Sequence, residues 1–116
     1  MRRLPMRLVR TLGFLCLLFS SAAMADGSSG QQTISSFAVD TKDQLVWVTG
    51  PTAWSNPDGC GSSNLVLVQF SNPYYRDLLA EITTAYAAEK SVAFGLSGCV
   101  NSPWGNAPVV VTVVLY

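Results

Sequence analysis

Between residues 34 and 116 the apolar residues fall into short strand-like runs, with one stretch of helical spacing in the middle. The segment ISSFAVDTKDQLVWVT, 34–49, divides into two runs around the polar Asp40–Asp43, which predicts a hairpin. Gly50-Pro51 ends it, because proline gives a sheet ladder no donor. LVLVQF, 65–70, is almost unbroken apolar sequence, as expected of a strand covered on both faces. Ser71-Asn72-Pro73 then reads as a helix start, with a capping residue and proline at the first helical position. Tyr75, Leu78, Leu79, Ile82 and Tyr86 would line one face of a helix over 73–90, opposite Asp77, Glu81, Thr84 and Lys90. SVAFGLS, 91–97, and the valine-rich PVVVTVVLY, 108–116, predict two further strands. One of Tyr74 and Tyr75 should face the core and the other solvent.

The predicted order is strand, strand, strand, helix, strand, strand: a mainly β chain with one helix. Five strands in that order suit a five-stranded OB-like Greek-key barrel, and an open antiparallel sheet crossed by one helix gives the same string. Barrel closure is favoured because it hides edges that the last strand would otherwise expose. Residues 34–116 read as this single domain, and residues 26–33, DGSSGQQT, as a flexible start to it.

The amino-terminal segment changes the charge picture. Four arginines in MRRLPMRLVR precede the apolar LGFLCLLFS and small residues ending at Ala25, the pattern of a cleaved secretory signal peptide over residues 1–25. The apolar part is shorter than the roughly 20 residues that span a bilayer. No membrane insertion is expected after its removal. Cleavage would leave Lys42, Arg76 and Lys90 against seven acids and a net charge near minus four, although the whole chain is formally neutral. Nucleic acid is therefore a disfavoured partner, since its recognition relies on clustered lysine and arginine. The expected location is exported, periplasmic or secreted.

Cleavage also removes Cys16 and leaves Cys60 and Cys99, which an oxidising compartment should join in one disulfide. With no histidine in the chain and both remaining cysteines paired, no metal site and no cofactor is expected. Asp40 and Asp43 read as turn-capping acids, and Asp77 and Glu81 as a solvated helix face. No nucleophile motif or phosphate loop is present, so the chain is not expected to be an enzyme.

Tyr75-Arg76-Asp77-Leu78-Leu79, continuing through Ala85-Tyr86 to Glu89-Lys90-Ser91-Val92-Ala93-Phe94, resembles the helix and following strand of the receptor-binding B subunits of subtilase-cytotoxin and pertussis-like toxins. By element order the resemblance covers residues 34–116. The chain is also similar to short exported bacterial proteins of unassigned activity, with one cysteine before the third strand and another after the fourth. The toxin resemblance implies an OB-fold subunit that assembles into a ring of five and binds cell-surface glycans. It assigns no binding residue here, because DGSSGQQT offers Ser28 and Ser29 with no neighbouring tyrosine.

Two loops repeat a combination of cysteine, tryptophan and asparagine: WSNPDGC, 54–60, and SGCVNSPWGNAP, 97–108. A Cys60–Cys99 bridge would bring them together. Trp54 and Trp104, with Asn56, Asn101 and Asn106, then form a candidate sugar site, indoles stacking on a pyranose and amides bonding its hydroxyls. Alternatively both indoles cover the end of a small barrel. Trp47 is expected in the core. The sequence thus predicts an exported, non-catalytic binding module for a glycan or a protein surface, or a periplasmic structural or interaction domain with no small ligand.

Overall fold

The computed structural model describes residues 27–116. The expected signal peptide, residues 1–25, lies outside them. The described chain is mainly β with a single helix: β1 (Gly27–Thr33), β2 (Ser36–Asp40), β3 (Leu45–Thr49), β4 (Leu65–Gln69), α1 (Tyr75–Ala87), β5 (Ser91–Ser102) and β6 (Gly105–Leu115). One six-stranded sheet has the order β1-β5-β6-β4-β3-β2. Neighbours are antiparallel except β4 and β6, which meet in parallel at Leu67 and Val109. The outermost strands, β1 and β2, are separated along the chain only by Ile34 and Ser35. A single chain segment thus joins both ends of the sheet, and the sheet must curl to allow it.

The expectation of five strands is corrected by β1, which occupies residues 27–33 of the segment expected to be flexible, Asp26 lying outside the described residues. Its sequence, GSSGQQT, has no apolar alternation, and its place is fixed by backbone pairing with β5 instead. The register slips between Ser28 and Gln31, a bulge helped by Gly30 at φ +78°. There the buried Ser29 hydroxyl accepts the amide of Phe94 at 2.8 Å and donates to the carbonyl of Gly30 at 2.9 Å. The Ser29 carbonyl accepts the amide of Ser55, so β1 also holds the loop before β4. Farther along, the Gln32 amide group bonds Thr52 three times and passes over Gly50, where a Cβ would lie 2.5 Å from the Gln32 side chain.

The hairpin expected over 34–49 is present, in full register from Ser36 opposite Thr49 to Asp40 opposite Leu45. Asp40 Oδ1 accepts the amides of Lys42 and Asp43 at 3.0 and 3.1 Å and so organises the turn. β4 is buried on both faces, as its sequence implied. Val66 and Val68 face the main core with Val46, Val48, Phe94 and Val110, closed by Leu78, Ile82 and Ala85 of α1. Leu65 and Leu67 face the opposite way, into a smaller cluster with Leu45 and Ala107, against which Trp47 and Val100 pack.

The helix is shorter than 73–90. Its first residue is Tyr75, because Asn72 spends its side-chain oxygen on the amide of Tyr74 in a preceding turn, and Pro73 lies in that turn. Tyr75 packs against the core and stacks on Phe70 at 4.8 Å, while Tyr74 is exposed. Tyr86 departs from the expected buried face: about half exposed, it meets Phe37 edge-on at 5.4 Å. The loop expected after residue 97 is largely strand. β5 and β6 continue as a long hairpin to Ser102 opposite Gly105, and this arm supplies Val100 and Ala107 to the smaller cluster.

Candidate functional site

The Cys60–Cys99 disulfide is present, with Cα atoms 5.7 Å apart, and fastens the loop before β4 to the β5–β6 arm. The same junction is reinforced by Asp58, whose Oδ2 accepts the amide of Gly98 at 2.7 Å. The two loops therefore meet. Their tryptophans do not.

Trp54 turns inward. Its backbone amide bonds the carbonyl of Ser63, its ring stands edge-on to Phe94 at 5.1 Å, and it is 2% exposed within the main core. A ring so placed has no face for a sugar, which corrects its assignment as a ligand-stacking residue. The indole N–H is buried without a hydrogen-bond partner. Asn56 is likewise committed: its amide donates to the carbonyl of Cys60 at 2.7 Å and its oxygen accepts the amide of Cys60 at 2.8 Å. It shapes the turn that brings Cys60 to Cys99.

Trp104 lies at the tip of the β5–β6 arm, 44% exposed and edge-on to the half-buried Trp47 at 6.0 Å. Trp47, expected in the core, thus belongs to the smaller cluster beneath Trp104. Below the tip, Asn106 donates to the Asn101 oxygen at 3.0 Å and accepts the amide of Gly61 at 3.2 Å. The Asn106 carbonyl also accepts the amide of Ser62 at 2.7 Å. Of the five candidate ligand residues, Asn101 and Asn106 bond each other at the end of the arm and Trp104 at its tip turns toward Trp47, while Trp54 and Asn56 are structural.

The acids are dispersed. Asp77 and Glu81 are exposed on α1. Asp40 is held below the ordinary carboxylate range, first by the amide of Asp43 and further by that of Lys42. Asp43 is pushed up, by loss of hydration and then by the Asp40 carboxylate beside it. No group of three or more histidine, cysteine or acidic side chains among the described residues is placed to hold a metal ion.

Two surface features were not resolved by sequence reasoning. A groove of about 700 Å³ runs between Thr33–Ser35 and the end of α1 at Ala85–Ala87, with Glu89 on its lining. Across Ser91, which pairs with Thr33 and whose carbonyl accepts the amide of Tyr116, Val111, Thr112 and Val114 stand exposed on β6, with Tyr116 exposed just beyond it. A shallower depression of about 410 Å³ separates Thr112, Val114 and Tyr116 from Gly27 and Ser28 of β1, over Ala93 and Gly95 of β5. The valine-rich sequence signalled an apolar strand, but only the register shows which valines face out.

Among the described residues no helix is long and apolar enough to cross a membrane, and the disulfide is consistent with an exported protein. Comparison with family models, curated proteins and solved structures finds no match to this chain.

Proposed function

We propose that this chain is an exported, non-catalytic binding module built as an OB-like Greek-key barrel, which meets a protein surface, including a second copy of itself, across the exposed side of β6. The observation that carries the reading is the placement of Val111 and Val114 on β6 and of Tyr116 just beyond it, which no element among the described residues covers, Tyr116 being 58% exposed. An uncovered apolar surface rimmed by polar residues marks an interaction site. The barrel part is supported by the strand order. With β1 and β2 taken as one long segment, five strands, a parallel β4–β6 contact and one helix between β4 and β5 suit an OB-like arrangement. The non-catalytic part is supported by the acids, which are spread over the β2–β3 turn, the Asp58 junction, α1 and Glu89 of the groove, no two of them sharing a cleft.

The test is the solution mass of the oxidised mature protein by light scattering, compared with Val114→Glu. Association of the wild type that Val114→Glu abolishes supports the reading, and a mass near five subunits would favour the toxin-like ring. A wild-type monomer at all accessible concentrations, or an assembly that Val114→Glu leaves intact, refutes self-association through β6.

A second reading has its own observation. The exposed ring of Trp104 at the tip of the arm, edge-on to Trp47, offers a small platform for a glycan. A glycan that bound there would change tryptophan emission, and Trp104→Ala would abolish the response.

A further inference from the structure

The groove beside the end of α1 has a feature that stability alone does not favour. The helix closes through three bonds, from the amides of Ala88, Glu89 and Lys90 to the carbonyls of Thr84, Tyr86 and Ala85. In this closure the residue after the helix cap takes a left-handed conformation, where glycine is the usual occupant because a Cβ is strained there. Here that residue is Glu89, at φ 54°. Its charge is also unfavourable, since carbonyl dipoles make a helix C-terminus negative and suit a cation. Glu89 is therefore a poor choice for the backbone and for the field, and no described residue hydrogen-bonds or ion-pairs with its carboxylate.

Glu89 is also one of the residues that line the groove beside the helix end. Buried Ile34 and Ala85 and exposed Thr33, Ser35 and Tyr86 line it with Glu89, so that two apolar residues, three hydroxyl-bearing residues and an aromatic one surround the groove. A carboxylate, a negative helix end, hydroxyl oxygens and an aromatic ring all favour one kind of guest. An ammonium group has three donors and no acceptor, is attracted to an aromatic face, and would neutralise the charge that the helix end disfavours.

We propose that this groove binds an organic ammonium group, with Glu89 as its counter-charge, Tyr86 as its aromatic wall and Thr33 and Ser35 as neutral acceptors. The group could belong to a lysine side chain of a partner protein or to a free polyamine. The chemistry at the groove is the same, and the site does not depend on the surface of β6.

The test is an amide-shift NMR titration of the oxidised protein with three probes: Nα-acetyl-lysine amide for a lysine side chain, cadaverine for a free polyamine, and methyl glucoside as a neutral polyol. The expected result is saturable shifts at residues 33–35 and 85–90 with at least one amine probe, none with the glucoside, and weakening by added salt. Response to the lysine probe alone assigns the guest to a partner protein, and response to cadaverine alone assigns it to a polyamine. Glu89→Gln should weaken amine binding about tenfold, the loss of one charge-assisted contact, while Asp77→Asn leaves it unchanged. Glu89→Gly should also lose binding and yet raise the melting temperature, because it relieves the left-handed residue. The proposal is overturned if neither amine shifts the groove at millimolar concentration, if the glucoside binds equally well, or if Glu89→Gln binds like wild type. Shifts centred on 40–43 or 77–81 would overturn it too, as would a lower melting temperature for Glu89→Gly.

Discussion

Trp54→Ala and Trp104→Ala should have very different consequences, although the two residues sit in loops of similar composition. Full burial of a tryptophan removes about 150–250 Å² from water, or about 4–6 kcal/mol at 25 cal/mol per Å², an upper figure because the unfolded chain is itself partly compact. Trp54 is buried to that degree and stands edge-on to Phe94. Its truncation also leaves a cavity, and measured costs for such changes run to about 3–5 kcal/mol. In a domain of this size each kcal/mol lowers the melting temperature by about 4–8 °C, so Trp54→Ala should fall by about 12–40 °C. Trp104 keeps much of its surface in water and loses chiefly its edge contact with Trp47, so its truncation should cost about 1–2 kcal/mol. Trp54→Phe provides an internal control. It removes the buried, unpaired indole N–H, a relief of about 1–3 kcal/mol, while keeping a ring against Phe94. It should therefore lie within about 1.5 kcal/mol of wild type. Urea and thermal unfolding of the oxidised proteins, followed by far-ultraviolet circular dichroism, give the three values. Equal losses for Trp54→Ala and Trp104→Ala would refute the assignment of the two rings to inside and outside, as would a small loss for Trp54→Ala.

The remaining predictions concern the devices that place β1, the arm and the hairpin turn. Ser29→Ala should destabilise the protein by about 1–3 kcal/mol, because the amide of Phe94 would be left buried and unpaired; amide exchange at Phe94 should accelerate with it. Reduction of Cys60–Cys99, with a sequence separation of 39, should cost about 4 kcal/mol by the chain-entropy relation, and the first amides to lose protection should be those of the β5–β6 arm. Asp40→Asn should be less stable than wild type at neutral pH. The Asp40 carboxyl is depressed in the folded state, so its contribution is present above the ordinary carboxylate range and is lost as pH falls through the folded value. The two proteins should therefore converge in strongly acidic solution, and a difference independent of pH would count against the turn's reliance on the ionised group.

The strands and helix that bury an apolar face were legible in the sequence. Leu65–Gln69 carried its two-sided burial in its composition, the β2–β3 turn was marked by Asp40, and Leu78 and Ile82 fixed the inner face of α1. The strand that carries no apolar pattern was missed. β1 is held by its ladder with β5, by the Ser29 hydroxyl and by Gln32, and small polar residues in such a role look the same as a flexible leader. The β5–β6 arm was read as a loop because Gly98, Pro103 and Gly105 punctuate it, yet its backbone pairs through to Ser102. That error carried into the candidate site. The disulfide joined the two loops as expected, but the backbone bonds from Trp54 to Ser63 and from Ser55 to Ser29 turn the first indole into the core. Nothing local to WSNPDGC distinguishes that from an outward turn. Glu89 was unremarkable as a letter in the sequence, and its interest lies in a backbone angle.

The most direct test of recognition across β6 is hydroxyl-radical footprinting of the oxidised protein at low and high concentration, read by mass spectrometry at Tyr116, Trp104 and Tyr74. All three side chains are well exposed in the single chain and react readily with the radical. Self-association through the proposed surface predicts that Tyr116 becomes protected as concentration rises while Trp104 and Tyr74 do not. Protection of Trp104 with Tyr116 unchanged would place the contact at the tip of the arm and contradict the account.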